Sequence, residues 1–258
     1  MTPKCWDPFI GFFTKHGYRC LAPAWPFHDG VPAELRANPP AGLGGLGLDD
    51  IADHLAKIVR DLDEPPVLIG HSFGGLMVQL LLDQGLGIAG VGIDSAPPRG
   101  VFVSRPTTMR GLFPVVRTMR AWRKAIQPTF ASFRYGFVHT LSPEEQRRTF
   151  DEQVVPESGW IFLQAAMARV DRKKAIAVDF RNERRPPLLL IAGADDHLIP
   201  AAVTRKNYQL QVGTGAPTAL KEFPGRSHWI IAQPGWEEVA EACLKWIEGL
   251  PPVSAQHV

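Results

Sequence analysis

The stretch that decides the fold is Val67-Leu-Ile-Gly-His-Ser-Phe-Gly-Gly75. It begins with three apolar residues, typical of a short buried strand, and the apolar run over 76–82 that follows predicts a helix. At the junction, Gly70, Ser72 and Gly74 match the pattern G-x-S-x-G. A serine on such a strand-to-helix turn has a strained backbone that lifts its hydroxyl above the sheet, as a nucleophile requires. We expect both glycines to be necessary, because a Cβ at either position would clash across the turn.

The same alternation of apolar runs and helical patterns continues on both sides of this stretch. Apolar residues spaced by three and four over 48–62 predict an amphipathic helix, which Pro65-Pro66 end. The remaining predicted elements are strands at 18–22, 88–93, 188–192 and 219–223, and helices at 7–16, 201–211 and 236–250. Strands that alternate with helices are typical of a parallel sheet covered by helices. The sequence therefore predicts an α/β fold with a mostly parallel sheet flanked by helices.

The pattern changes over residues 105–185, where helical signals dominate and no strand of comparable quality occurs. This segment contains 16 Lys and Arg against 8 Asp and Glu, which gives it a net charge of +8. The simplest interpretation is a helical insertion between two halves of one sheet. We therefore predict a core formed by residues 1–104 and 186–258, with a helical lid at 105–185.

The composition excludes several classes of protein. Hydrophobic residues make up 45% and charged residues 21% of the 258, which excludes a disordered or fibrous chain. The net charge of +2 gives no reason to expect a nucleic-acid partner. Three cysteines without C-x-x-C spacing predict neither a disulfide framework nor a zinc site. No stretch predicts a secretion signal or a membrane span, so we expect a cytoplasmic protein without integral membrane association.

One glycine-rich segment, Gly42-Leu-Gly-Gly-Leu-Gly47, matches the pattern of dinucleotide-binding folds. That pattern requires a strand directly before it, whereas Ala37-Asn-Pro-Pro-Ala41 stands here. We interpret the segment as a glycine loop that leads into the helix at 48–62. It predicts no nicotinamide or flavin cofactor.

A serine nucleophile needs a base, and that base needs a group that orients it. Two predicted strands end in suitable residues. The strand at 188–192 runs into Asp195 and Asp196, and the strand at 219–223 runs into a small-residue loop that contains His228. We expect an acid and a histidine from these two loops to meet Ser72 at one rim of the sheet.

Three blocks of the sequence resemble the α/β-hydrolase superfamily, in particular its serine members with a helical lid. The blocks are GHSFGG at 70–75, G-x-x-D-x-x-x-P at 193–200 and G-x-x-H at 225–228. The resemblance extends from Trp6 to Leu250 and includes the family's order of nucleophile, acid and base along the chain.

The resemblance implies a role for each of four residues. Ser72 would be the nucleophile, His228 the general base and acid, and Asp196 the carboxylate that orients the histidine. The backbone amide of Phe73 would supply one donor to the oxyanion. The implied reaction requires neither a metal nor an organic cofactor.

Other acids and histidines compete for these roles. Asp195 is adjacent to Asp196, although the spacing within the G-x-x-D-x-x-x-P block favours Asp196. Asp94, at the end of an earlier strand, lies where some relatives have their acid, and its alternative role is to cap that strand. His71 and His197 flank the serine and the acid; we expect the first to pack beside the turn and the second to lie on the loop surface.

The predicted lid contributes the candidate substrate pocket. On a helix after Pro114, Met119 and Trp122 would share an apolar face, with the arginines elsewhere. We expect Met119, Trp122 and Phe130, together with Trp229 beside the histidine, to line an apolar acyl pocket. The basic face would then be solvated, or alternatively would meet an anionic substrate or an acidic lipid surface.

The chain differs from the family at its start. The family's sheet has strands before the first helix, one of them central and followed by a loop that offers a second oxyanion amide. Residues 1–5 cannot form such a strand. Our hypothesis is that the sequence starts inside a longer reading frame or is truncated, so that N-terminal strands, including a central one, are missing.

The expected function is hydrolysis of a small or medium carboxylic ester, lactone or thioester through an acyl-serine intermediate. The expected partner is a small hydrophobic ester-like substrate, and the oligomeric state is not predicted. Hydrolytic C–C cleavage and perhydrolysis use the same three residues and stay open as alternatives. The alternative of another class is a non-catalytic, receptor-like homologue that binds a hydrophobic ligand.

Overall fold

The computed structural model describes residues 1–102, 106–108, 110, 123–168, 175–213 and 215–251. Its strands are β1 (Val67–His71), β2 (Ala89–Ile93), β3 (Ala125–Ile126), β4 (Glu157–Ser158), β5 (Leu188–Gly193) and β6 (Thr218–Phe223). Its α-helices are α1 (Asp7–Lys15), α2 (Pro32–Ala37), α3 (Leu48–Arg60), α4 (Phe73–Asp83), α5 (Phe130–Gly136), α6 (Pro143–Gln153), α7 (Gly159–Ala166), α8 (Ala201–Gln211) and α9 (Trp236–Glu248). None of these described helices is both long enough and apolar enough to cross a membrane.

The main sheet is parallel and contains β1, β2, β5 and β6 in that order. Every residue of the two central strands, β2 and β5, is buried, as expected of strands covered by helices on both faces. Because the four strands run in one direction, their carboxyl ends lie along the same edge of the sheet. Ser72 directly follows β1, and Asp196 and His228 lie in the loops after β5 and β6.

The two faces of the sheet pack against different helices. Side chains alternate along a strand, so neighbouring residues of β5 point to opposite faces. Leu189 and Ile191 belong to a core cluster that also contains residues of α1 and α9. Leu188 and Leu190 pack instead with Val78 of α4. The observed architecture is therefore the predicted one, a parallel sheet with helices on both faces.

The predicted strand over 18–22 is wrong. These residues belong to no strand, and no strand of the described chain pairs with the outer edge of β1. A strand requires a neighbour that satisfies its backbone hydrogen bonds, and the apolar pattern of 18–22 does not supply one. Both β1 and residues 18–22 line the large cavity that also contains the candidate site. Within the described residues β1 is thus an edge strand.

The segment between β2 and β5 contains the helices α5, α6 and α7 and the short antiparallel pair of β3 and β4 where it is described. Three contacts join it to α2 and to the loops that precede α3. The Arg36 guanidinium donates to the carbonyl of Val154 at 2.6 Å, and the His28 ring lies 3.1 Å from the Glu157 carboxylate. The hydroxyl of Ser158 donates to the carbonyl of Leu46 at 2.7 Å. These contacts hold the described part of this segment against the chain before α3.

Candidate active site

The turn between β1 and α4 positions the Ser72 hydroxyl. Ser72 has φ 56° and ψ −122°, a conformation that residues with a side chain rarely adopt. Its amide donates to the carbonyl of Ile93 at 3.0 Å, and its own carbonyl accepts from the amide of Leu76 at 3.3 Å. The backbone of Ser72 is therefore fixed to β2 on one side and to α4 on the other. This is the strand-to-helix turn that the G-x-S-x-G pattern predicts.

The glycines around Ser72 are not equally constrained. A Cβ on Gly70 would lie 2.2 Å from the carbonyl oxygen of Gly74, which real side chains do not tolerate. A Cβ on Gly74 would meet nothing within 4 Å, so the expectation that this glycine is also required is wrong. Gly75 has the constraint instead, because its Cβ would lie 2.8 Å from the Cβ of Ser95. The close approach of α4 to β1 and β2 thus depends on Gly70 and Gly75.

This difference predicts the result of a matched pair of substitutions. Gly70→Ala is expected to lower the free energy of unfolding by about 3 kcal/mol or more, because backbone must move to admit the methyl group. Gly74→Ala is expected to be neutral or to stabilise by up to ~1 kcal/mol, since alanine favours a helix. Urea unfolding of both variants measures this, and equal losses of stability would contradict the geometry.

Asp196 and His228 meet Ser72 at the carboxyl edge of the sheet. The Asp196 Oδ2 lies 2.5 Å from His228 Nδ1, and His228 Nε2 lies 3.0 Å from Ser72 Oγ. The other carboxylate oxygen, Oδ1, accepts the amides of Leu198 at 2.7 Å and Ile199 at 2.9 Å. The side chains of Asp196 and His228 are both 0% exposed. A carboxylate only accepts, so Nδ1 bears the proton and Nε2 is free to accept the serine hydroxyl.

The loop after β6 that contains His228 is held by its neighbours. The amide and the hydroxyl of Ser227 both donate to the Gln233 side-chain oxygen at 2.9 Å. His71 Nε2 donates to the backbone carbonyl of His228 at 2.8 Å. Burial lowers the pKa of His71 well below its usual value, and the neighbouring His228 lowers it further. A neutral His71 therefore orients His228 and does not compete with it for the role of base.

The other sequence candidates lie outside this chain of contacts. Asp195 is exposed, whereas Asp196 is buried. The His197 ring stacks on Tyr135 at 4.6 Å and on His139 at 3.7 Å, and its Nδ1 donates to the Tyr135 carbonyl. The geometry therefore brings together Asp196 rather than Asp195 with the histidine, and places His197 in a separate aromatic stack.

The amide of Phe73 is the first of α4. The first four amides of a helix have no acceptor within it, and the helix dipole makes this end partly positive. The free amides and the helix dipole would both stabilise a negative oxygen formed beside Ser72. The Phe73 ring packs against Phe162 of α7, with 5.8 Å between ring centroids, which fixes the start of the helix.

A cavity of about 1840 Å³ opens onto Ser72. Part of its wall consists of apolar side chains from α5, from α7 and from the loops after α5 and β5, namely Phe133, Phe137, Phe162, Leu198 and Ile199. Two predicted pocket residues lie elsewhere among the described residues. Trp229 is 4% exposed within the core, and Phe130 packs beneath the Arg147 guanidinium and against Phe150. Met119 and Trp122 lie outside the described residues.

One group of described side chains has the composition of a metal site. Single nitrogen or oxygen atoms of His71, Asp94 and His228 lie within 4.8 Å of one another. Both nitrogens of His228 already face partners, however, and His71 Nε2 donates to a carbonyl. The group is therefore better described as a hydrogen-bond network around the histidine.

Sequence reasoning missed the residues that support the three side chains. Gln233 follows His228 by five positions and belongs to no motif, so nothing in the sequence pointed to its contact with Ser227. The role of His71 could have been inferred from its place between β1 and the serine, where its side chain must point into the sheet edge. The constraint on Gly75 has a visible signal in the second glycine of GHSFGG.

Comparisons with known proteins identify the family of this chain. A model of the alpha/beta hydrolase family matches residues 1–242. A pyrethroid hydrolase from Sphingobium faniae has a similar structure, with 19% identity, a TM-score of 0.64 and coverage of 96% of this chain and 93% of that one. A monoacylglycerol lipase from Paleococcus ferrophilus is similar at 19% identity, with a TM-score of 0.66 and coverage of 95% and 89%.

A third similar structure is polyneuridine aldehyde esterase, with 15% identity, a TM-score of 0.61 and coverage of 96% of this chain and 95% of that one. A search of curated protein sequences finds none that matches. These identities are low, and the structural likeness alone shows a shared fold. The family model covers nearly the whole chain, including the serine turn and the acid and histidine loops, and so this protein belongs to the alpha/beta hydrolase family.

Proposed function

We propose that this protein hydrolyses small or medium carboxylic esters, or the related lactones or thioesters, through an acyl-serine intermediate. The observation on which this proposal rests is the continuous contact from Asp196 through His228 to the Ser72 hydroxyl, at the edge of an apolar cavity. A serine is a weak nucleophile unless a base takes its proton. At these distances His228 can act as that base, and the Asp196 carboxylate orients its ring.

In the first half of the reaction, the Ser72 oxygen attacks the ester carbonyl carbon while its proton passes to His228 Nε2. The carbonyl oxygen becomes an anion that the Phe73 amide stabilises. The Asp196 carboxylate stabilises the imidazolium and keeps its Nδ1 proton in place. His228 then gives the Nε2 proton to the departing alcohol, and the acyl group remains on Ser72.

In the second half, water takes the place of the alcohol. His228 Nε2 accepts a proton from the water as the water oxygen attacks the acyl carbon. The second tetrahedral anion again lies at the start of α4. Its collapse releases the carboxylic acid and returns the proton to Ser72, so the same histidine acts as base and acid in each half.

The cavity favours an apolar substrate. The cavity wall includes aromatic and aliphatic side chains such as Phe133, Phe162 and Leu198, and buried apolar surface contributes roughly 25 cal/mol per Å² to binding. We propose that the inserted segment acts as a lid over this cavity, since α5 and α7 supply part of its wall. The similar structures named as an esterase, a lipase and a pyrethroid hydrolase are consistent with ester chemistry on this fold.

A series of p-nitrophenyl esters tests this proposal. The alcohol is constant, so differences among acetate, butanoate, octanoate and palmitate report the acyl pocket alone. We expect kcat/KM to rise from acetate towards the medium chains, because each buried methylene adds about 0.8 kcal/mol of binding. Ser72→Ala serves as the blank for each ester. A folded protein whose rates equal those of this blank across the series would contradict the proposed function and favour a non-catalytic binding role.

A further inference from the structure

A second buried carboxyl group, that of Asp94, lies next to Asp196 and has no role in the mechanism above. Asp94 follows β2 and is 0% exposed. Its φ of 41° is one of three positive values among the described residues other than glycine. Strained residues of this kind persist where the surroundings fix them, and they cluster at functional sites. The strained backbone therefore makes Asp94 a candidate for a functional role.

The two oxygens of Asp94 are in different situations. Oδ1 accepts the amide of Gly193 at 2.7 Å, which ties the end of β2 to β5. Oδ2 is buried, and no donor among the described residues reaches it. An ionised carboxylate only accepts, so an anionic Asp94 would leave a buried charged oxygen without a partner, at a high cost. A proton on Oδ2 converts that oxygen into a donor.

A protonated Asp94 needs an acceptor for its hydrogen bond, and three titratable groups surround it. Asp196 faces it from the loop after β5, His71 from the end of β1, and His228 from the loop after β6. The Asp196 side chain lies within hydrogen-bonding reach of Asp94. Asp196 already accepts from two amides and from His228, and such hydrogen bonds favour an ionised carboxylate. A carboxylate can accept about four hydrogen bonds, so a further donor fits.

We propose that Asp94 is a neutral carboxylic acid that donates a hydrogen bond to the Asp196 carboxylate and so positions it against His228. Burial and the negative charge of Asp196 both raise the pKa of Asp94 well above its usual range, which agrees with this assignment. Asp94 is thus a positioning residue that acts through Asp196. The catalytic consequence rests on the function proposed above, whereas the protonation state does not.

Thermal stability as a function of pH tests the protonation state without any substrate. A neutral Asp94 takes up a proton on folding at any pH between its ordinary value of 3.8 and its raised value, so its contribution to stability falls as pH rises through that window. Asparagine has the same shape, donates to Asp196 and accepts from Gly193, but does not titrate. We therefore expect the Tm of Asp94→Asn, relative to the unsubstituted protein, to increase by a few degrees between about pH 4 and pH 8. A Tm difference that stays constant or decreases between these pH values would overturn the proposal.

Activity tests the positioning role. Asp94→Ala removes the donor and is expected to lower kcat for p-nitrophenyl butanoate roughly tenfold to a hundredfold with KM nearly constant, the range for a lost hydrogen bond to a charged group. Asp94→Asn should recover most of that loss and leave the acidic limb of the kcat/KM profile in place. An equal loss in both variants, or an acidic limb that moves to lower pH in Asp94→Asn, would show that the negative charge is needed and would refute the proposal.

The Tm comparison and the kinetics test the state of Asp94 and the proposed function separately. If the unsubstituted protein has no hydrolysis that depends on Ser72, the proposed function fails, and the Tm comparison still decides the state of Asp94. If Asp94→Ala does not fold, Asp94→Asn still gives both the Tm difference and the pH profile. Circular dichroism of each variant confirms that folded protein is compared in every case.

Discussion

Ser72→Ala is expected to reduce kcat for ester hydrolysis on the order of 10⁶-fold, leaving only the residual rate that binding and the oxyanion amide provide. The physical reason is that, among the residues that the structure describes, Ser72 is the one whose hydroxyl lies within hydrogen-bond distance of His228 Nε2. Steady-state kinetics with p-nitrophenyl butanoate measure the effect. Because alanine keeps the Cβ of Ser72 and removes only the hydroxyl, the variant is expected to fold with little change in stability.

A matched control variant tests whether removing a serine hydroxyl elsewhere in the protein also lowers the activity. Ser142 caps α6, where its hydroxyl accepts the amide of Glu145, and the residue is exposed. Ser142→Ala is expected to reduce stability by about 1 kcal/mol and to leave kcat/KM unchanged. If Ser72→Ala retained most of the activity, the hydrolysis would have to occur at another group and the acyl-serine mechanism would be wrong.

Asp196→Asn is expected to have the second-largest effect, a decrease of about 10⁴-fold in kcat at neutral pH. An amide nitrogen that faces His228 Nδ1 would favour the tautomer with its proton on Nε2, which cannot accept the serine proton. The oxyanion amide and the cavity are unchanged, so KM should change far less than kcat. Stopped or continuous assays with the p-nitrophenyl esters give both constants.

Asp195→Asn is the control for this prediction, because it makes the same chemical change one residue away. Asp195 is exposed, and its carboxylate is not part of the contacts around His228. Its substitution is expected to change kcat less than twofold, since surface substitutions of this kind have small effects. The opposite ranking of the two variants would assign the orienting acid to Asp195, the choice that the sequence left open.

Much of the fold could be predicted because local sequence and tertiary structure agree. The strands and helices that alternate from Leu48 to Ile93, and again from Leu188 to Glu248, have clear apolar periods and clear ends, such as Pro65-Pro66. The serine turn is fixed by local stereochemistry, because Gly70 leaves room for the carbonyl of Gly74. The acid and the histidine follow strands of one parallel sheet, so topology alone brings them to the same edge.

The remaining features depend on contacts that a linear pattern does not contain. Residues 18–22 have the composition of a strand, but strand formation requires a paired neighbour. Trp229 is next to the histidine in sequence, yet the turn at Ser227 sends its side chain into the core. The proximity of Asp94 and Asp196 arises from the register of β2 with β5, and no spacing along the chain predicts it.

Trapping the acyl intermediate tests the central claim most directly. The protein is mixed with p-nitrophenyl butanoate, quenched in acid during turnover, and digested for mass spectrometry. The mechanism predicts one butanoyl group, located on the peptide that contains Ser72 and accumulated further in Asp196→Asn if deacylation slows more than acylation. Turnover with an acyl group on a different residue, or with none on Ser72 under conditions that preserve acyl esters, would contradict the account.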